Sequence, residues 1–351
     1  MNKRLLLYCL CLCILPLHAQ QGTPLTRGDS LYDKIIKNLP RVSGYVDIRY
    51  AYATTASTFD IRRARVLFSG DFGHKFDYRL QVDFANSPQL LDASLRFKAK
   101  TWLNVEAGAL KTLLSIENPY SPKELELMDL SPVVMKLVGY DDLAGIKASG
   151  CDIGLAVSGK LLKIKERYLL EYAVGIFNGN GINVKDNNKS KDISGRLQLY
   201  PVKNLTLSVS CYIGEMAVPQ TDSKYARRDR YAFGLRYDNR YWKIRAEYIH
   251  GLTGIALTNA MVPEARPYIL TRSDGAYLLL GYAFQQKIMP VGRIDFFRED
   301  IHDGQFEINY TAGCSYWIHQ HVRCQLNFTC HTTAQNPNGT FAVMTMITAA
   351  F

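Results

Sequence analysis

The chain lacks the features that mark most other protein classes. No apolar run reaches the about 20 residues that a membrane-spanning helix needs, which excludes a helical membrane protein. Cysteine is sparse, with eight residues, and Cys9, Cys11 and Cys13 fall in an N-terminal apolar stretch. The other five (Cys151, Cys211, Cys314, Cys324 and Cys330) are odd in number and follow neither C-x-x-C nor any zinc spacing. They read as small apolar side chains. There is no polybasic tail. Lysine and arginine exceed the acids by a formal charge of +10, but the charges fall singly along alternating segments. With secretion inferred below, this argues against nucleic acid as a partner. No linker divides the chain, and no repeat beyond a hairpin period is visible. No motif around His74, His250, His302, His319, His321 or His331 suggests an activated nucleophile. No enzyme, cofactor or metal is expected.

What is present is alternation. Phe76, Tyr78, Leu80, Val82 and Phe84 alternate with Asp77, Arg79, Gln81 and Asp83; Leu91, Ala93, Leu95 and Phe97 with Asp92, Ser94, Arg96 and Lys98; Trp242, Ile244, Ala246 and Tyr248 with Lys243, Arg245 and Glu247. Such segments recur from Val42 onward, each followed by turn chemistry. In a soluble sandwich the apolar set would face a core; in a membrane barrel it faces lipid, and the polar set faces a watery lumen. The ends of the chain decide between these. Asn2-Lys3-Arg4, the apolar Leu5–Leu15 and Leu17-His18-Ala19 read as a secretory leader over residues 1–20. Phe351 ends a final alternating segment and resembles the terminal aromatic of bacterial outer-membrane barrels. Tyrosine, with 22 residues, suits interfacial girdles.

Residues 21–41 form a polar lead-in, with Ser30 capping a short helix that Pro40 stops. The rest, residues 42–351, is expected to be an all-β transmembrane antiparallel β-barrel of about sixteen strands in which short turns alternate with long links. The region 143–160 is ambiguous: it is one strand, two short ones, or a continuing loop with a strand starting near Asp152. The longest link, 111–142, is expected to fold inward as a constriction loop. Ser121-Pro122-Lys123-Glu124 reads as a helix start, followed by Leu125, Leu127, Met128 and Leu130.

The candidate chemistry is cationic. Arg62-Arg63-Ala64-Arg65 is the densest cluster. Strict alternation lets at most two of its arginines point inward, Arg63 and Arg65, and turns Arg62 to lipid unless it lies near the rim or the strand is bulged. Guanidinium groups bind oxyanions through paired hydrogen bonds, and rings of such groups make a pore prefer anions. Arg63→Ala or Arg65→Ala is therefore expected to lower anion-over-cation permeability without unfolding the barrel. Arg79 and Arg96 on the wall, and Lys111, Lys123 and Lys136 on the loop, complete the set. The alternative is a mixed-charge lumen in which arginines pair with Asp77, Asp83, Asp92 and Asp238. The loop acids Glu117, Glu124, Glu126 and Asp129 weigh against a purely anionic preference.

The stretches Phe59-Asp60-Ile61-Arg62-Arg63-Ala64-Arg65, Tyr78 to Asp83, Leu90 to Ala93, Leu103 to Gly108 with Leu110-Lys111, Ser115-Ile116-Glu117, Asp152 to Leu155, Gly175 to Gly179 and Gly195-Arg196-Leu197 resemble the phosphate-selective porins of the O/P type. Cys151 departs from the pattern, which has arginine there. The resemblance implies a trimeric, sixteen-strand outer-membrane barrel that passes small anionic solutes and is surrounded by outer-membrane lipid. It assigns phosphate-like anions to wall and loop cations, with Arg62, Arg63, Arg65 and Lys111 at motif positions. Divergent members pass other anions or sugars.

Overall fold

The computed structural model describes residues 39–53, 56–217, 225–256 and 268–351. The expected leader and nearly all of the lead-in with its short helix lie outside the described residues, as do parts of the 215–228 and 252–273 links. Sixteen strands follow in chain order: β1 (Arg41–Ala53), β2 (Ala56–Phe72), β3 (Phe76–Asp83), β4 (Gln89–Lys100), β5 (Leu103–Lys111), β6 (Cys151–Ile164), β7 (Arg167–Phe177), β8 (Asp192–Leu199), β9 (Leu205–Ala217), β10 (Tyr225–Asp238), β11 (Trp242–Ala256), β12 (Tyr268–Tyr282), β13 (Ile288–Arg298), β14 (Glu307–His319), β15 (Val322–Thr333) and β16 (Thr340–Ala350). Each pairs antiparallel with its neighbours, and β1 pairs with β16, so the barrel closes with no free edge. Seven links of two to five residues lie at one end; the other end carries the longer links, 112–150 and 178–191 among them, but also the short 54–55 and 84–88.

Closure involves the terminal aromatic. Gly44 and Phe351 exchange both backbone hydrogen bonds at 3.0 Å. A Cβ on Gly44 would come within 2.6 Å of the Phe351 ring, so only glycine fits beneath it.

The outward set along the strands is apolar and uncovered: Phe233 is 56 % exposed, Leu278 54 % and Ile294 53 %. A belt of this size needs an apolar surrounding, which a bilayer supplies. Near the turn end it meets an aromatic girdle in which Trp242 and Phe284 flank Tyr282 at centroid distances of 4.8 and 4.7 Å. Cys211, Cys314, Cys324 and Cys330 are half-buried free thiols.

Two irregularities change which side chains reach the lumen. Between β1 and β2 the register passes from Asp47↔Arg63 to Ile48↔Ile61, leaving Arg62 unpaired in a bulge. Arg62, Arg63 and Arg65 therefore all reach inside, where strict alternation admits two. Between β3 and β4 the register passes from Gln81↔Asp92 to Val82↔Leu90. The extra residue, Leu91, leaves the outward set assigned to it by alternation and is buried against Cys151 and Ile182.

The interior is not uniformly watery. One side is an apolar core in which Leu114, Leu127, Val133, Val134, Leu137 and Val138 of the β5–β6 link meet Tyr212, Ala232, Ile249, Tyr277, Leu279, Val291 and Phe297 from β9–β13. This link runs through Gly150 and β6 begins at Cys151. The region 143–160 is thus the end of the loop followed by one strand.

Candidate functional site

The inward loop, residues 112–150, sets the geometry of the lumen. The expected helix at Ser121 is a single 3-10 turn, Pro122–Glu124, with the Ser121 N–H donating to Glu124 Oε2 at 3.1 Å. The chain then becomes extended at Leu125. Wall side chains bind the carbonyls that a continuing helix would need: Arg323 donates to Leu125 O at 2.9 Å, Gln325 to Glu126 O at 3.0 Å, and Arg293 to Asp129 O at 2.8 Å. Tertiary bonds replace the intrahelical ones. The loop's helix, α1 (Pro132–Leu137), begins later, after Ser131, and Val133, Val134 and Leu137 are buried in the apolar core. Each fully buried aliphatic side chain of this kind contributes about 1.5–3 kcal/mol.

The loop acids are consumed in holding the loop. Arg245 Nη1 lies 2.9 Å from Glu117 and Nη2 lies 3.0 Å from Glu126, with all three side chains buried. Glu247, on the same strand, accepts from Ser115 Oγ at 2.8 Å and Ile116 N at 2.7 Å. Asp129 pairs with Arg62. Tyr140 donates to Asn118 Oδ1 at 2.8 Å. Burial pushes the Tyr140 phenol above its ordinary pKa and keeps it a neutral donor. The acids that weighed against an anionic preference on sequence grounds are therefore paired or capping.

Two adjoining cavities lie along β3–β8. A cavity of about 250 Å³ is lined by Arg79, Arg96, Lys111 and Arg196 together with Asp77, Asp92 and Glu106. It adjoins a second cavity of about 260 Å³ toward the turn end, which shares Arg96 and Arg196 and adds Lys160, Glu171 and Gln198. Two of the four cations are compensated, since Arg79 lies 3.1 Å from Asp92 and Arg96 lies 2.9 Å from Asp77. The other two make no ion pair among the described residues. Lys111 Nζ donates to the carbonyls of Asn118 (2.5 Å) and Tyr120 (3.2 Å). Arg196 has a long contact of 3.5 Å to Ser115 O.

The structure thus brings Arg79, Arg96 and Lys111 together at one passage. The other sequence candidates lie elsewhere. Arg63 is paired with Asp47 at 3.0 Å and Arg65 with Asp83 at 2.8 Å. Lys123 sits 5.8 Å from the Tyr45 ring centroid, and Lys136 pairs with Asp141 at 2.6 Å. Arg196 was not among the candidates, although Asp192, Ser194, Arg196 and Gln198 alternate with Ile193, Leu197 and Leu199 as an inward set should. The wall arginines that bind the loop (Arg230, Arg245, Arg293 and Arg323) carried no separate signal, because their partners are distant backbone carbonyls and acids.

A closed sixteen-strand barrel with an apolar belt, an inward loop and a charged passage defines the porin class of diffusion channel. The model of the family described as phosphate-selective porin O and P matches residues 43–238. The chain belongs to this family, and its place is the bacterial outer membrane. The fold is similar to an anion-selective porin from Comamonas acidovorans (TM-score 0.64, 11% identity, covering 89% of this chain and 99% of that one). It is also similar to OmpF of Salmonella typhi (TM-score 0.61, 12% identity, 90% and 98%) and to OmpT of Vibrio cholerae in a trimer form (TM-score 0.59, 10% identity, 90% and 100%). A comparison with curated protein sequences finds no match.

Proposed function

We propose that this porin is a passive, non-enzymatic channel whose constriction prefers anions, phosphate-like oxyanions among them, and that residues 1–20 are its secretory leader. The observation that carries the reading is the pair of cations, Lys111 and Arg196, that line the passage without a carboxylate partner among the described residues. They stand beside two arginine–aspartate pairs whose charges largely cancel. A passing oxyanion exchanges part of its hydration for the guanidinium and ammonium donors, and the adjoining second cavity lets it leave again. The family's description and the anion-selective neighbour support the preference, and the trimer form of OmpT supports a homotrimer. The cancelling pairs Arg79–Asp92 and Arg96–Asp77 favour a second reading, a general or sugar porin with weak ionic preference. Reversal potentials across a salt gradient in a planar bilayer, followed by phosphate titration of the conductance, separate the two. Strong anion selectivity with phosphate block at low concentration is the expected result; weak or cation selectivity without block rejects it.

A further inference from the structure

The turns carry a ring of cations that the channel function does not use. Lys75, Lys100, Lys165, Lys203, Arg240 and Lys287 stand in six of the seven turns or on the strand residue beside them, and Lys163 and Arg167 flank the third. All eight are exposed. None makes an ion pair among the described residues, whereas the inward cations nearby are neutralised: Lys98 by Asp71, Lys160 by Glu171 and Lys243 by Asp238. Glu166 is the one acid within the seven turns. The opposite end is mixed. The links 84–88 and 334–339 carry no charge, 299–306 carries Glu299, Asp300 and Asp303, and the basic link 178–191 pairs Lys191 with Asp186.

At two points the ring touches outward aromatics. Arg240 rests 5.7 Å from the Tyr241 ring centroid, and Tyr241 stacks on Tyr282 of the girdle at 6.2 Å. Lys163 lies 5.8 Å from the Tyr168 ring. Cations just beyond an interfacial aromatic belt reach the depth of lipid headgroups, and clustered lysine and arginine there attract anionic lipid. We propose that the turn end of the barrel binds the phosphates of anionic phospholipids in the leaflet around it.

The chain's three tryptophans all lie at this end; the exposed Trp102 and Trp242 report on its lipids, and Trp317, on the lumen face beneath Arg323, gives a constant background. Full-length protein is reconstituted in mixed vesicles, and tryptophan quenching by brominated-chain phosphatidylglycerol is compared with quenching by brominated-chain phosphatidylcholine. The expected relative association constant is about threefold or more in favour of phosphatidylglycerol at low salt, and it falls toward one as salt is raised to about 0.5 M. A variant with Lys75, Lys100, Lys165, Lys203, Arg240 and Lys287 each changed to Gln should show no preference at any salt. A constant of one in the native protein overturns the proposal, as does a folded variant that keeps the preference. A variant that keeps the lipid preference but loses anion selectivity in bilayers also overturns it, by assigning the ring to the pore mouth. Where the variant fails to fold, judged by heat-modifiable gel migration, the salt titration of the native protein decides.

Discussion

Arg196→Gln is the sharpest perturbation of the passage, because the side chain lines both cavities and has no carboxylate partner among the described residues. A sphere of the first cavity's volume has a radius of about 4 Å, so an ion within it passes about 5 Å from the guanidinium; at the dielectric constant of water that charge is worth about 0.8 kcal/mol. In about 0.1 M salt, screening over half a Debye length leaves about 0.5 kcal/mol. The same charge attracts an anion and repels a cation, so the permeability ratio carries about 1 kcal/mol, or about fivefold. In about 1 M salt the effect shrinks to less than about twofold. The assay is the reversal potential of single channels in potassium chloride gradients at both salt levels, with single-channel conductance as the control for an intact pore. Gln keeps hydrogen-bonding capacity and releases one long contact to Ser115 O, so the loop should stay in place. An unchanged ratio at low salt would refute the assignment of Arg196. An equal change at both salt levels would refute its electrostatic origin.

Arg245→Ala leaves Glu117 and Glu126 buried without their counter-charge, a loss of about 3–5 kcal/mol; freed loop segments should raise single-channel conductance and its noise. Leu137→Ala removes a fully buried side chain from the loop–wall core at a cost of about 2–5 kcal/mol, and the transition temperature of the folded band on semi-native gels should fall. Arg63→Ala deprives the buried Asp47 of its ion pair and leaves it the Thr348 hydroxyl at 2.6 Å. It should therefore destabilise the β1–β2–β16 seam by about 3–5 kcal/mol and alter selectivity less than Arg196→Gln does. A larger selectivity change from Arg63 than from Arg196 would reverse this ranking.

Much of the barrel was legible because the sheet period is two and both faces impose it. Alternation gave the strand number and the inward and outward sets of most strands, while the start of β6 stayed open until the structure placed it at Cys151. Alternation failed at Arg62 and Leu91, where one extra residue shifts the register and re-aims side chains. A bulge is decided by the partner strand, and neither residue type announces it. The loop was legible as an inward element from its apolar residues, but its helix was misplaced. Ser121-Pro122-Lys123-Glu124 has the local chemistry of a helix start, and the competing donors Arg323, Gln325 and Arg293 come from strands more than 160 residues away.

The site divides in the same way. Sequence by itself determined the membrane barrel and the inward direction of Arg79 and Arg96, because each follows from local period and side-chain chemistry. Tertiary structure alone decided which charges remain available. Arg62, Arg63 and Arg65 stand in the densest cationic run of the chain, yet each meets an aspartate brought to it by a neighbouring strand or by the loop. Arg196 stands alone in its segment and meets none among the described residues. Net charge is additive along a chain, but an electrostatic field depends on distances, and the distances between residues far apart in sequence exist only once the barrel has closed around its loop.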